Sequence, residues 1–153
     1  MNTVKHLNDS SSQPLPKRPL IFWNKHSFAC AVLASLLGTY LDLYFVGKGW
    51  NQFPERPFPD IFSINILFNL VGLPFLILIF INCLSKVNHW GKAGIVLFVS
   101  LLMPILEKLS EMLGFFVHTN RWQHIYTFFG YLLFLTIITI YFHWLEPIQK
   151  ARQ

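Results

Sequence analysis

Long apolar runs separated by short polar connectors dominate residues 27–145, and their lengths decide what elements they form. Ser27 to Val46 runs for 20 residues with Asp42 as its only charge, Ile61 to Leu84 for 24 with none, and Ile125 to Leu145 for 21. A hydrocarbon core of about 30 Å takes about 20 helical residues at about 1.5 Å each, so each run is long enough to cross a bilayer as a helix. The uncharged run from Ala93 to Leu106 has only 14 residues, a length that also fits a re-entrant segment. It spans only by continuing through Glu107, Lys108 and Glu111 to Phe116. The pattern predicts an all-α integral membrane four-helix bundle with spans at about 27–46, 61–84, 93–116 and 125–145. A flexible tail, residues 1–26, precedes it, and a second tail, residues 146–153, follows.

Polar residues inside the runs recur in steps of three and four, which places them on one helical face. The first run carries Ser35, Thr39 and Asp42, and the second Asn65, Asn69 and Gly72. The third carries Ser100, Pro104, Glu107, Glu111, Gly114 and His118; the fourth carries His124, Thr127 and Tyr131, with Thr136, Thr139 and His143 further along. Such faces are costly against lipid, so they should turn toward one another or toward a water-filled cavity. Counted from the outer end of each span, Asp42 and Asn65 lie roughly 6 Å deep, Asn69 roughly 12 Å, Glu111 roughly 8 Å, Glu107 roughly 14 Å and Tyr131 roughly 9 Å. All fall in one half of the bundle, which predicts a pocket open on one side and not a through-pore. Its candidate residues are Asp42, Asn65, Asn69, Glu107, Lys108, Glu111, His118, His124 and Tyr131.

Glu107 and Glu111, one turn apart, are the most costly of these. A charge near the bilayer centre costs about 2.5 to 3.5 kcal/mol, so Glu107, Lys108 and Glu111 together cost on the order of 8 to 10 kcal/mol if unpaired. Lys108 can pair with Glu111 at i,i+3, whereas two ionised glutamates at i,i+4 repel. The sequence therefore predicts one of three arrangements: a glutamate that keeps its proton, a cation such as Arg56 or Lys48 folding in from the loop, or a bound cation. The same residues also fit an interhelical hydrogen-bond network that only holds the bundle together.

The loop from Gly47 to Asp60 contains Pro54, Pro57 and Pro59, which stiffen it and disfavour helix in the residues before them. It is expected to lie over the outer mouth as an ordered flap, with Lys48 and Arg56 meeting the acidic cluster or an anionic lipid headgroup. With four spans, Lys5, Lys17, Arg18, Lys25, Lys86, Lys92, Lys150 and Arg152 share one side against Lys48, Arg56 and Arg121 on the other. The positive-inside rule then makes both termini cytoplasmic. The N-terminus stays inside even if the third segment does not cross, but the C-terminus then moves outside. Phe22, Trp23, Trp90, Tyr141 and Trp144 at the inner boundary, and Tyr44, Trp50, Phe53, Trp122 and Tyr126 at the outer, fit interfacial anchoring.

Composition narrows the class further. The chain is 54% hydrophobic and 12% charged with mean hydropathy +0.46, too little charge to cover a soluble surface. Its pI near 9.4 follows from the cytoplasmic Lys and Arg excess, so no nucleic-acid partner is invoked. The first apolar run is too long and too late for a cleaved signal peptide and reads as a retained signal-anchor. Cys30 and Cys83 both fall at the cytoplasmic boundary and read as packing residues, not as a disulfide or zinc pair. No Walker loop, G-x-G-x-x-G, H-E-x-x-H or nucleophile elbow is present. Glu107, Glu111, His118 and His124 are ligand types, but the E-x-x-H pair of di-iron bundles is missing, and the sequence assigns no metal and no cofactor.

The segments Leu41 to Gly49, Phe53-Pro54 to Asn65, Met103 to Lys108, and Gly114 to His118 with Trp122 resemble an uncharacterised family of small multi-pass membrane proteins from endospore-forming Gram-positive bacteria. The resemblance covers about residues 27–145. It implies a helical bundle in a bacterial plasma membrane and no particular activity. Three functions fit the residues. The favoured one is a protein binding or transporting a proton, cation or small polar solute. The second is an intramembrane enzyme acting on a lipid or isoprenoid, with a glutamate as general acid or base. The third is a structural or assembly subunit contacting a membrane-protein partner or a second copy of itself. Membrane lipids are partners in all three.

Overall fold

The computed structural model describes residues 24–119 and 122–150, with the side chains of 146–150 left out of account. The N-terminal tail with Phe22 and Trp23, Arg121, and residues 151–153 lie outside the described residues. Among the described residues the fold is all-helical, with four α-helices: α1 (Lys25–Gly47), α2 (Leu73–Leu84), α3 (His89–Met112) and α4 (His124–Lys150). Three of them, α1, α3 and α4 to Leu145, are long and apolar enough to cross a membrane. The two-residue strands β1 (Asn51–Gln52) and β2 (Val117–His118) add a short antiparallel ladder.

Local chemistry sets the ends of these helices. Asn24 and Asn88 cap α1 and α3, their side chains accepting from the backbone N–H of His26 and Gly91 at 3.5 and 2.9 Å. The Asn88 cap starts α3 at His89, before the apolar run begins at Ala93. Both α1 and α3 end in a glycine at positive φ, Gly49 at 68° and Gly114 at 79°. Around Gly49 the Trp50 N–H reaches the Phe45 carbonyl at 2.9 Å, and around Gly114 the Phe115 N–H reaches Ser110 at 3.1 Å. Together with the Gly49-to-Val46 and Gly114-to-Glu111 bonds, each is a Schellman motif. The two matched endings turn the chain directly into β1 and β2.

The relative strengths of the second and third apolar runs are reversed. The third run, the weaker on sequence, forms a continuous 24-residue helix through Pro104. Its helical part stops at Met112 and not at Phe116, so Glu107 sits about 7.5 Å and Glu111 about 1.5 Å from the helix end. The second run, charge-free over 24 residues, gives an apolar helix only from Phe68 to Leu84. Residues 61–65 go to turns instead, because Phe58 turns the chain at φ 55° and Arg56 holds the Phe62 carbonyl at 2.7 Å. The first five residues of this helix, Phe68–Gly72, are a π stretch ending just before Pro74, which has no N–H to give a regular turn. At the C-terminal end, α4 runs on past Leu145, where the apolar run stops.

Helix α1 packs between α2 and α4, and α3 packs mainly on α4. Cys30, Ala31, Ala34 and Gly38 make α1 narrow on its α2 side; a Cβ on Gly38 would overlap Leu73 Cδ2. Ile77, Ile81 and Leu84 of α2 and Phe134, Ile138 and Phe142 of α4 complete the core. All of it lies toward the end that holds the starts of α1 and α3. Cys30 is part of that packing, but Cys83 is exposed, contrary to its expected role. Large apolar side chains such as Phe28, Leu36, Phe75, Phe98, Ile105 and Leu133 face outward.

Candidate functional site

The opposite end of the bundle, where α1 and α3 finish and α4 begins, holds the two glutamates with His118 and His124. β1 pairs with β2 in the register Asn51 with His118 and Gln52 with Val117. Thr119 locks the pairing: its N–H donates to the Trp50 carbonyl at 3.0 Å and its hydroxyl reaches the Gly49 carbonyl at 2.6 Å. The ladder thereby ties the loop after α1 to the loop after α3 and fixes His118 over the last turns of α3.

His118 is the centre of the site. Its ring is stacked on Trp122 at 5.0 Å and 6°, and Phe116 meets it edge-on at 4.3 Å. Its Nδ1 lies 2.7 Å from Glu111 Oε1. A carboxylate only accepts, so Nδ1 carries the proton in that bond. Nε2 faces Glu107 Oε1 at 3.4 Å, inside ion-pair range but without the geometry of a hydrogen bond, and it is a buried nitrogen with no hydrogen-bond partner among the described residues. The side chain is 6% exposed. His124, the first residue of α4, brings Nδ1 to 3.1 Å from the same Glu107 oxygen. Ligand atoms of Glu107, His118 and His124 all lie within 4.8 Å of one another. Lys108 pairs with Glu111 at 3.1 Å, as its spacing predicts, and is largely in the open. An open cavity of about 380 Å³ adjoins the group, lined by Glu111, His118, Trp122 and His124 among others.

Asp42 and Asn69 form a second polar group between α1 and α2. Asn69 Nδ2 donates to Asp42 Oδ2 at 2.8 Å, and Ser35 Oγ donates to the Asn69 carbonyl at 2.7 Å. Tyr131 of α4 is within electrostatic reach of both Asp42 and Glu107 and packs against the edge of the apolar core. Asn65 joins neither contact set: its side chain accepts from the Phe68 N–H at 3.1 Å, at the start of the helical turn that leads into the π stretch. On α4, Thr136 and Thr139 donate to carbonyls of their own helix, which removes them from the expected polar face.

Neither loop cation approaches the glutamates. Arg56 spends its guanidinium on the carbonyls of Phe53, Phe62 and Pro59 at 2.6, 2.7 and 3.3 Å, and Lys48 lies over the Tyr44 ring at 5.8 Å. A forked donor three and six residues from free loop carbonyls closes on them more readily than it crosses to another helix. Two histidines, and not these residues, face the glutamates. Sequence reasoning also missed Asn51, Thr119 and Trp122 as parts of the site. Trp122 and Trp50 looked like membrane anchors, yet they pack together at 6.1 Å with Phe45 and His118 around them. The usable signal was the repeat of a helix-ending glycine followed by an aromatic residue, at Gly49-Trp50 and Gly114-Phe115. Comparison with known protein families, characterised proteins and solved structures finds no match, so the chemistry of the site rests on its own geometry.

Proposed function

We propose that the chain is a multi-pass membrane protein that binds a cationic species, a proton or a small cation, at the Glu107–Glu111–His118–His124 cluster. The membrane reading is supported by three helices of spanning length and by the outward-facing Phe, Leu and Ile side chains along all four. With α2 and its π stretch crossing as well, the positive-inside rule supports cytoplasmic termini, and the resemblance in the sequence supports a bacterial plasma membrane. The single observation that carries the binding reading is Glu107, whose carboxylate faces two imidazoles at 3.1 and 3.4 Å, one of them with a buried nitrogen lacking a hydrogen-bond partner among the described residues. An orphaned buried polar group costs about 1 to 3 kcal/mol, so a positive charge shared across that gap is favoured. The apolar core fills the other end of the bundle, which favours a one-sided binding site over a transport path.

The test is thermal unfolding of the purified full chain in detergent, with one cation varied at a time and pH varied separately. A ligand specific to the folded state adds about 2.7 kcal/mol of stability at a hundredfold excess over its Kd. At least one condition should raise the melting temperature of the wild type and not that of Glu107→Gln. Identical responses of the two proteins would refute the proposal.

A further inference from the structure

We infer that Glu107, His118 and His124 form a site for a divalent transition-metal ion, with Glu111 as the outer partner that orients His118. The inference rests on the cation-binding reading above and specifies its ligand. Because Glu111 accepts a hydrogen bond from Nδ1–H, His118 presents Nε2 as a bare lone pair, 94% of its side chain being covered and the nitrogen itself without a hydrogen-bond partner among the described residues. A lone pair facing a carboxylate oxygen is repulsive unless a positive ion lies between them. A proton placed there makes a poor bond, since the angle fails although the distance is 3.4 Å. A metal fits better. Tetrahedral coordination with bonds of about 2.0 to 2.1 Å places neighbouring ligand atoms roughly 3.3 to 3.4 Å apart. The Glu107-to-His118 and Glu107-to-His124 separations are 3.4 and 3.1 Å. The two imidazole nitrogens lie within 4.8 Å of each other. His124, half exposed on the first residue of α4, is the ligand free to close that gap.

The donor set decides the class of ion. Two imidazoles and one carboxylate suit first-row divalent ions such as Zn²⁺ or Fe²⁺, whereas Mg²⁺ and Ca²⁺ favour oxygen alone. The Glu111 carboxylate behind His118 reproduces the carboxylate–histidine–metal arrangement that fixes ring orientation and raises ligand basicity. A divalent ion at Glu107 leaves Lys108 in its exposed ion pair with Glu111. Three protein ligands leave the remaining coordination positions toward the open cavity, as in sites that exchange water or substrate.

The experiment is calorimetric titration of Zn²⁺ into the full chain in detergent after removal of bound metal by a chelator, with Mg²⁺ and Ca²⁺ as comparisons. The expected result is one Zn²⁺ per chain, no heat from Mg²⁺ or Ca²⁺, and at least tenfold weaker binding in Glu107→Gln and in His124→Gln. His124→Gln alters an exposed position, so its fold is preserved, and circular dichroism verifies this for each variant. Glu111→Gln should weaken binding about 10- to 100-fold while keeping the stoichiometry. Absence of Zn²⁺ binding overturns the inference, as does binding unchanged in both ligand variants, which would place the ion elsewhere. If Zn²⁺ fails but another cation or a pH change stabilises the wild type through Glu107, the metal assignment falls alone. If nothing stabilises it, the cation-binding reading falls too.

Discussion

Removing the Asn69 side chain should expose how strongly α1 and α2 are joined. Asn69 is 1% exposed, and its Nδ2 donates to Asp42 Oδ2 at 2.8 Å, beside the bond that Ser35 makes to its backbone carbonyl. Hydrogen bonds to charged groups contribute about 1.5 to 3 kcal/mol in soluble proteins, while interhelical pairs measured in a membrane average about 0.6 and reach about 1.7 kcal/mol. The acceptor here is a carboxylate and the donor is almost wholly covered, so the upper part of the membrane range applies, about 1 to 2 kcal/mol. The Ser35 bond goes to the Asn69 backbone carbonyl and survives truncation to alanine. Asn69→Ala should therefore lower the melting temperature by roughly 2 to 8 °C, at about 2 to 4 °C per kcal/mol for a chain of this size. The assay is a double-mutant cycle with Asp42→Ala, Asn69→Ala and the pair, unfolded in mixed micelles and followed by tryptophan fluorescence. A coupling energy of 1 to 2 kcal/mol on that approximate scale supports the bond. If the double variant loses the sum of the single losses within about 0.4 kcal/mol, the two residues do not interact and the account of the α1–α2 joint is wrong.

Arg56→Lys keeps the charge but loses the fork, so amide exchange across residues 53–62 should quicken; if Arg56 acts only as a surface cation, exchange will be unchanged. Gly114→Ala forces a Cβ onto a residue at φ 79° and should cost about 1 kcal/mol and loosen His118, seen as faster amide exchange at Val117 and His118; unaltered exchange there counts against the Schellman ending as the device that sets β2. For orientation, a membrane-impermeant maleimide should label Gln52→Cys on intact cells and Lys86→Cys only after permeabilisation, in a chain lacking Cys30 and Cys83. The opposite pattern inverts the topology.

Much of the bundle was legible because length and charge are written directly in the sequence. The helical phase of Ser35, Asp42 and Asn69 anticipated the α1–α2 joint, and the spacing of Lys108 and Glu111 anticipated their pair. What composition could not show was competition for backbone. The charge-free second run lost its first turns because Arg56 and Phe58 commit the chain there to a loop, a choice no hydropathy pattern contains. The third run gained its missing length at its start, from the Asn88 cap, and not at its end. At the site, the glutamates were conspicuous in their apolar setting, but their partners were chosen by a non-local strand pairing. His118 meets Glu107 and Glu111 only because β2 pairs with a loop about 65 residues earlier in the chain, at the register the ladder fixes. Periodicity within one helix carries no information about such a pairing.

The ladder between β1 and β2 also makes the site sensitive to chain length more than to residue identity. Side chains alternate across a strand, so one residue added between Gly114 and His118 turns the imidazole to the opposite face and sends its neighbour toward Glu107. A change of Phe115 to another apolar residue leaves that count intact. Insertions and deletions between the α3 ending and Trp122 are therefore expected to be far rarer in natural variants than substitutions, a tally that sequencing of related strains can supply.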